Sequence, residues 1–174
     1  MADAAYVTAL LGPKAESYTS PLAKRSRSNP ISLFLSLDFK LKPSWYLSLG
    51  ASGEFDLGDV ATTGFTLAAF VKYFVIGSPD LVSTSGKDAR IQLALPYSIF
   101  TGVGLFQKDV KFANDRTLEN VDTSLGGLGL VVGGTYNLNQ KYFLVSQAQY
   151  LASGLSSTTT YTSMEFYGGA GFRF

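Results

Sequence analysis

Ile31-Ser32-Leu33-Phe34-Leu35-Ser36-Leu37-Asp38-Phe39-Lys40-Leu41 decides the fold. One parity is wholly apolar (Ile31, Leu33, Leu35, Leu37, Phe39, Leu41), whereas the other carries Ser32, Phe34, Ser36, Asp38 and Lys40. A period of two is the signature of a strand. A lysine on a lipid-facing wall costs about 2 to 4 kcal/mol near the bilayer midplane. The register is thereby set, with leucines outward and charges inward.

Outward from this strand the pattern repeats. Lys42-Pro43-Ser44 supplies a turn, and in Trp45 to Phe55 the residues Trp45, Leu47, Leu49, Ala51 and Phe55 alternate with Tyr46, Ser48, Gly50, Ser52 and Glu54. Gly64 to Ile76 follows with Phe65, Leu67, Ala69, Val71, Tyr73 and Val75 on the outer parity and Lys72 on the inner one. Alternation resumes at Ala89, and Pro96, which cannot donate a ladder hydrogen bond, places the membrane part mainly after it. Ser124 to Leu138, Lys141 to Ala152 and Tyr161 to Phe174 read as three more strands, and Ala5 to Leu11 as a first. The count is eight.

With both termini at the periplasmic end, the polar connections 12–29, 56–63, 107–123 and 153–160 fall outside. The shorter ones at 42–44, 77–88 and 139–140 fall inside. Short periplasmic turns and long external loops are the pattern of outer-membrane barrels. The expected fold is all-β: one domain over residues 1–174 forming an eight-stranded antiparallel up-and-down transmembrane β-barrel.

Composition narrows the function. The 18 Gly, 10 Tyr and 13 Phe, against 16% charged residues, suit β architecture. A net charge of +1 offers no field for nucleic acid. There is no Cys and no His, which removes thiolate metal sites, disulfides and the commonest general base. No cofactor or metal is expected, and no pairing of residues nominates an enzyme. No apolar stretch reaches the ~18 to 20 residues of a transmembrane helix. Met1 precedes Ala-Asp-Ala-Ala, with neither a basic nor an apolar leader region, so the sequence reads as a mature exported chain behind an added start methionine.

The last strand, Met164-Glu165-Phe166-Tyr167-Gly168-Gly169-Ala170-Gly171-Phe172-Arg173-Phe174, alternates apolar residues and ends on Phe174. It resembles the C-terminal signature of bacterial outer-membrane barrels, and by size and strand count the whole chain looks like the OmpX, OmpA transmembrane-domain and OmpW group. The resemblance implies a bacterial outer-membrane location. It also implies that Phe166, Phe172 and Phe174 belong to the segment read by the barrel-insertion machinery.

Three candidate sites follow. Inward Asp38, Glu54, Lys72, Glu165 and Arg173 would form a polar network in a lumen just wide enough for side chains to fill; we read it as a satisfied plug rather than a gate, because buried charges must pair whatever the function. Outward Trp45, Tyr73, Tyr97, Tyr136 and Tyr142, with Phe172 and Phe174, would form aromatic girdles at the lipid interface. Lys24, Arg25 and Arg27, read as part of the first external loop, could meet lipopolysaccharide phosphates.

The expected role is structural or surface-interacting, with outer-membrane lipid, lipopolysaccharide, the insertion machinery and other envelope proteins as partners. Two alternatives stand beside it. One is a narrow channel or lipophile conduit of the OmpW kind, which wants an apolar lumen; the other is a soluble lipocalin-like barrel, which wants an apolar interior and a polar exterior.

Overall fold

The computed structural model describes residues 5–20, 24–55, 64–77, 96–112, 121–139, 141–154 and 159–174. Eight strands run in chain order: β1 (Ala5–Thr19), β2 (Lys24–Lys42), β3 (Trp45–Phe55), β4 (Phe65–Ile76), β5 (Tyr97–Phe112), β6 (Val121–Asn137), β7 (Tyr142–Ser153) and β8 (Thr160–Arg173). Each pairs antiparallel with its neighbours, and β1 pairs with β8 from Tyr6↔Arg173 to Thr19↔Thr160, which closes the cylinder. No strand edge is left open along this shared length, which is how a sheet satisfies its backbone in lipid.

Side-chain alternation follows the pairing. Leu35, Leu67, Val103, Leu105, Leu128 and Leu130 stand on the outer wall, with Leu105 64% exposed. Ser36, Asp38, Ser52, Lys72, Gln147 and Glu165 are buried inside. Apolar out and polar in is the inverse of a water-soluble barrel, and it makes the outer wall a lipid-facing surface. Toward the end away from the termini the wall turns polar: Gln107, Asp109 and Ser124 are exposed, and Gln107 Nε2 donates to Ser124 Oγ at 3.1 Å.

The interior is filled by pairing large residues with absent ones. A Cβ on Gly50 would stand 2.2 Å from the Phe34 ring, and one on Gly171 would stand 2.1 Å from the Phe143 ring. These glycines are spaces that the aromatic rings occupy, so the lumen is closely packed at these two levels.

The strands are longer than the sequence suggests at the outer end. β1 continues to Thr19 rather than stopping at Leu11, and β2 begins at Lys24, so most of the stretch 12–29 is a β-ladder with Glu16↔Arg27 and Tyr18↔Arg25 among its pairs. A bulge falls where Pro13↔Ile31 gives way to Ala15↔Ser28, beside Pro30, which has no N–H to offer a ladder. Lys24, Arg25 and Arg27 are therefore strand residues, not loop residues. Likewise 107–112 and 121–123, expected in a loop, pair as Gln107↔Gly126 through Phe112↔Val121. The expected loop 56–63, turn 78–88 and strand onset 89–95 lie outside the described residues. Pro96 stands exposed immediately before β5, as a residue without an N–H can at a strand start.

Candidate functional site

The candidate site is the filled lumen, which divides along the barrel axis. At the end carrying the termini, Tyr6, Tyr46, Phe74, Phe100 and Phe143 form a continuous aromatic layer. Tyr6 lies 5.6 Å from Tyr46 and 5.3 Å from Phe143, Tyr46 lies 5.1 Å from Phe74, and Phe74 lies 5.3 Å from Phe100, centroid to centroid. All five are between 0 and 4% exposed. Tilted and edge-on rings at these separations are favourable contacts that also exclude water.

Just above this layer sits the first ion pair. Lys72 Nζ donates to Asp38 Oδ1 at 2.9 Å, Ser36 Oγ donates to Asp38 Oδ2 at 2.8 Å, and Ser36 in turn meets Thr8 Oγ1 at 2.6 Å. The Lys72 ammonium also lies 5.1 Å from the Phe100 ring centroid. Both charges are buried, so their worth depends on these extra hydrogen bonds as much as on mutual attraction.

Nearer the outer end is a larger knot. Lys14 Nζ contacts Glu54, Glu165 at 3.1 Å and Glu16 at 3.3 Å; Lys108 Nζ contacts Glu54 and, at 2.8 Å, Glu16. Tyr161 donates to Glu16 at 2.9 Å, while Ser163 and Tyr167 donate to Glu165 at 2.9 and 2.7 Å. Four strands (β1, β3, β5 and β8) thus converge through ammonium groups that reach several carboxylates at once. Charge-assisted hydrogen bonds of this kind are about twice as strong as neutral ones.

Elsewhere on the inner face the hydroxyls of Ser48 and Thr66 and the amide nitrogens of Gln147 and Gln149 are buried without a hydrogen-bond partner among the described residues. Spare donors and acceptors of this sort suit internal water.

The structure does not bring the sequence-nominated lumen residues into one network. Asp38 and Lys72 pair together, whereas Glu54 and Glu165 belong to the outer knot. Arg173 joins neither: its guanidinium lies 4.4 Å over the Phe143 ring, donates to the Asn139 carbonyl at 3.2 Å and contacts the Asn137 side chain at the rim. At the last paired position of β8, Arg173 covers the buried Phe143 ring at the end of the lumen that carries the termini. Sequence reasoning missed Lys14, Glu16, Lys108, Tyr161 and Tyr167. The signal was present in the alternation Lys14, Glu16, Tyr18 continuing the inner parity of Tyr6 and Leu10.

Trp45, Tyr73, Tyr97, Tyr136 and Tyr142 are all exposed on the outer wall, between 39 and 53%. They gather at the end carrying the termini, with Trp45 and Tyr73 at 4.8 Å and Tyr142 and Phe172 at 5.4 Å. Phe174 is 75% exposed and lies edge-on to Phe172, and Phe166 stands outward farther along β8.

A closed eight-stranded antiparallel cylinder with an apolar wall and a filled polar lumen is a transmembrane barrel of the bacterial outer-membrane type. The comparison with known proteins agrees at the level of fold. No protein-family model matches the sequence, and no curated protein matches it. Among solved structures the chain is similar to Neisserial surface protein A, with a TM-score of 0.66 and 16% identity over 99% of both chains. It is also similar to the N-terminal β-barrel domain of Pseudomonas aeruginosa OprF, with a TM-score of 0.67 and 13% identity over 98% of this chain and 97% of that one. A third is Ail, the attachment invasion locus protein of Yersinia pestis, in complex with the heparin analogue sucrose octasulfate, with a TM-score of 0.54 and 14% identity over 98% and 99%.

Proposed function

We propose that this chain is a closed outer-membrane barrel with a structural or surface-interaction role, passing no solute and catalysing no reaction. The observation that carries this reading is the aromatic layer of Tyr6, Tyr46, Phe74, Phe100 and Phe143, almost wholly buried across the end with the termini. A lipophile conduit would want an apolar bore; the Asp38–Lys72 pair and the Lys14 knot oppose that. Planar-bilayer recording of the refolded chain tests the reading. Absence of discrete conductance is expected, and stable openings in the unaltered protein would overturn it.

The contacts that such a barrel makes lie on its outer end and wall. Lys24, Arg25 and Arg27, on β2 at the end away from the termini, carry donors suited to lipopolysaccharide phosphates, and the complex of Ail with a sulfated sugar analogue supports an anionic saccharide as the ligand class. Replacing all three with Ser should weaken lipopolysaccharide association while leaving the fold intact. Phe166, Phe172 and Phe174 read as the insertion signal. Phe174→Ala should slow assembly by the insertion machinery and leave unassisted refolding in detergent nearly unchanged.

A further inference from the structure

The wall formed by β3, β4 and β5 carries a furrow of about 430 Å³. The register explains it. Ala69 lies between Leu49 and Leu105, so a small residue forms a floor between two large ones. Two residues nearer the outer end, Leu67 pairs with Gln107, and both line the furrow. The floor is therefore apolar and the mouth polar. Room is left on the other flank of Gln107, because its partner on β6 is Gly126, which has no side chain.

The strand also gives the depth. Ala69 stands four residues outward of Tyr73, a ring at the rim that carries the termini, and four residues are about 13 Å of strand. At a tilt of about 35 to 45° this amounts to about 10 Å of depth, and Leu67 and Gln107 lie about 5 Å beyond. In an apolar band about 25 Å tall, the floor is near the midplane and the mouth falls in the outer half. The furrow faces the outer leaflet.

The mouth selects a headgroup by its hydrogen-bonding character. Gln107 Nε2 donates to Ser124 Oγ at 3.1 Å, which leaves Gln107 Oε1 as an acceptor. Asp109, exposed and two residues farther out on the same face of β5, is a second acceptor. Two acceptors call for a ligand with N–H and O–H groups, and the carboxylate repels a phosphate at this spot. An acyl ester has no proton to donate, whereas an acyl amide has one. We propose that the furrow binds one amide-linked acyl chain of an amino-sugar lipid in the outer leaflet, the class to which the anchor of lipopolysaccharide belongs. The amide N–H donates to Gln107 Oε1, a sugar hydroxyl donates to Asp109, and the chain lies over Ala69 between Leu49 and Leu105. This contact is separate from the one assigned to Lys24, Arg25 and Arg27, which needs phosphate.

The probe is a phosphate-free N-acylglucosamine with a diazirine in its acyl chain, and its reference is the same chain ester-linked to glucose. The full chain is refolded in phosphatidylcholine nanodiscs, every variant is checked for a heat-dependent gel shift, and labelled peptides are mapped after irradiation. Labelling around Leu49, Leu67 and Leu105 should favour the amide over the ester by about fivefold, the effect of one hydrogen bond. The opposite wall, where Leu144 and Phe166 are exposed, should show no such preference. Gln107→Leu should abolish the preference, and Ala69→Leu, by filling the floor, should bring furrow labelling down to the level of the Leu144 wall. Equal labelling by the two probes, a preference shared by the Leu144 wall, one that survives Gln107→Leu, or labelling undiminished in Ala69→Leu would overturn the proposal. Because the probe carries no phosphate and no conductance is read, these outcomes are independent of the basic cluster on β2 and of whether the lumen is closed.

Discussion

The two ends of the lumen are filled by opposite chemistry. Near the outer end, Lys14 and Lys108 are shared among Glu16, Glu54 and Glu165; near the termini, five rings pack against one another, two of them tyrosines. Both fillings are dense, yet they respond differently to damage. An ionic knot fails through what remains behind when one member is lost, because a buried charge without its partner has nowhere to go. An aromatic layer fails through the empty space.

Lys14→Met is the sharpest way to break that contrast. It takes the Lys14 ammonium from Glu165 and leaves Glu16 and Glu54 to share Lys108, and the loss should be about 3 to 5 kcal/mol, read as a lower urea midpoint for unfolding in detergent. The lumen should still not conduct. Phe143→Ala should cost a similar or slightly smaller amount, about 3 to 5 kcal/mol before relaxation; here, however, the layer is breached, and brief openings should appear in bilayer recordings. If Lys14→Met conducts and Phe143→Ala does not, the seal has been assigned to the wrong end.

Smaller changes sharpen the same comparison. Gly50→Ala pushes a methyl group into the Phe34 ring, and overpacking of this kind should cost about 1 to 3 kcal/mol, seen as a lower temperature for the gel-mobility transition. Ser98→Ala removes one side of the 2.6 Å contact with Thr135. A loss of about 1 kcal/mol is expected, measured by the same urea titration.

Much of this barrel was legible from period-two alternation, but only where lipid imposes it. In 31–41 one face must be apolar, so the strand declares itself. In 12–19 and 107–112 the strands rise past the hydrocarbon, and their outward residues include Ser17, Thr19, Gln107 and Asp109. With both faces polar, the alternation disappears from view, and Lys14, Glu16 and Lys108 look like loop charges. The same physics explains the uneven reading of the lumen. Inward position can be counted along a strand, but which charges meet depends on strand tilt and on how far a side chain reaches across the bore. Asp38 and Lys72 meet from β2 and β4, across β3; Glu54 turns instead to β1 and β5.

Closure of the sheet through β1 and β8 has a consequence for how the molecule comes into being. The seam from Tyr6↔Arg173 to Thr19↔Thr160 joins the two extremes of the chain, so the contact farthest apart in sequence is also the one that removes the last open edges. Until it forms, a sheet in lipid leaves two rows of backbone donors and acceptors without partners. Pairing so remote in sequence bears the largest loop-closure penalty and belongs late in folding. Assembly should therefore look all-or-none, with zipping of the first strand against the last as the committing event.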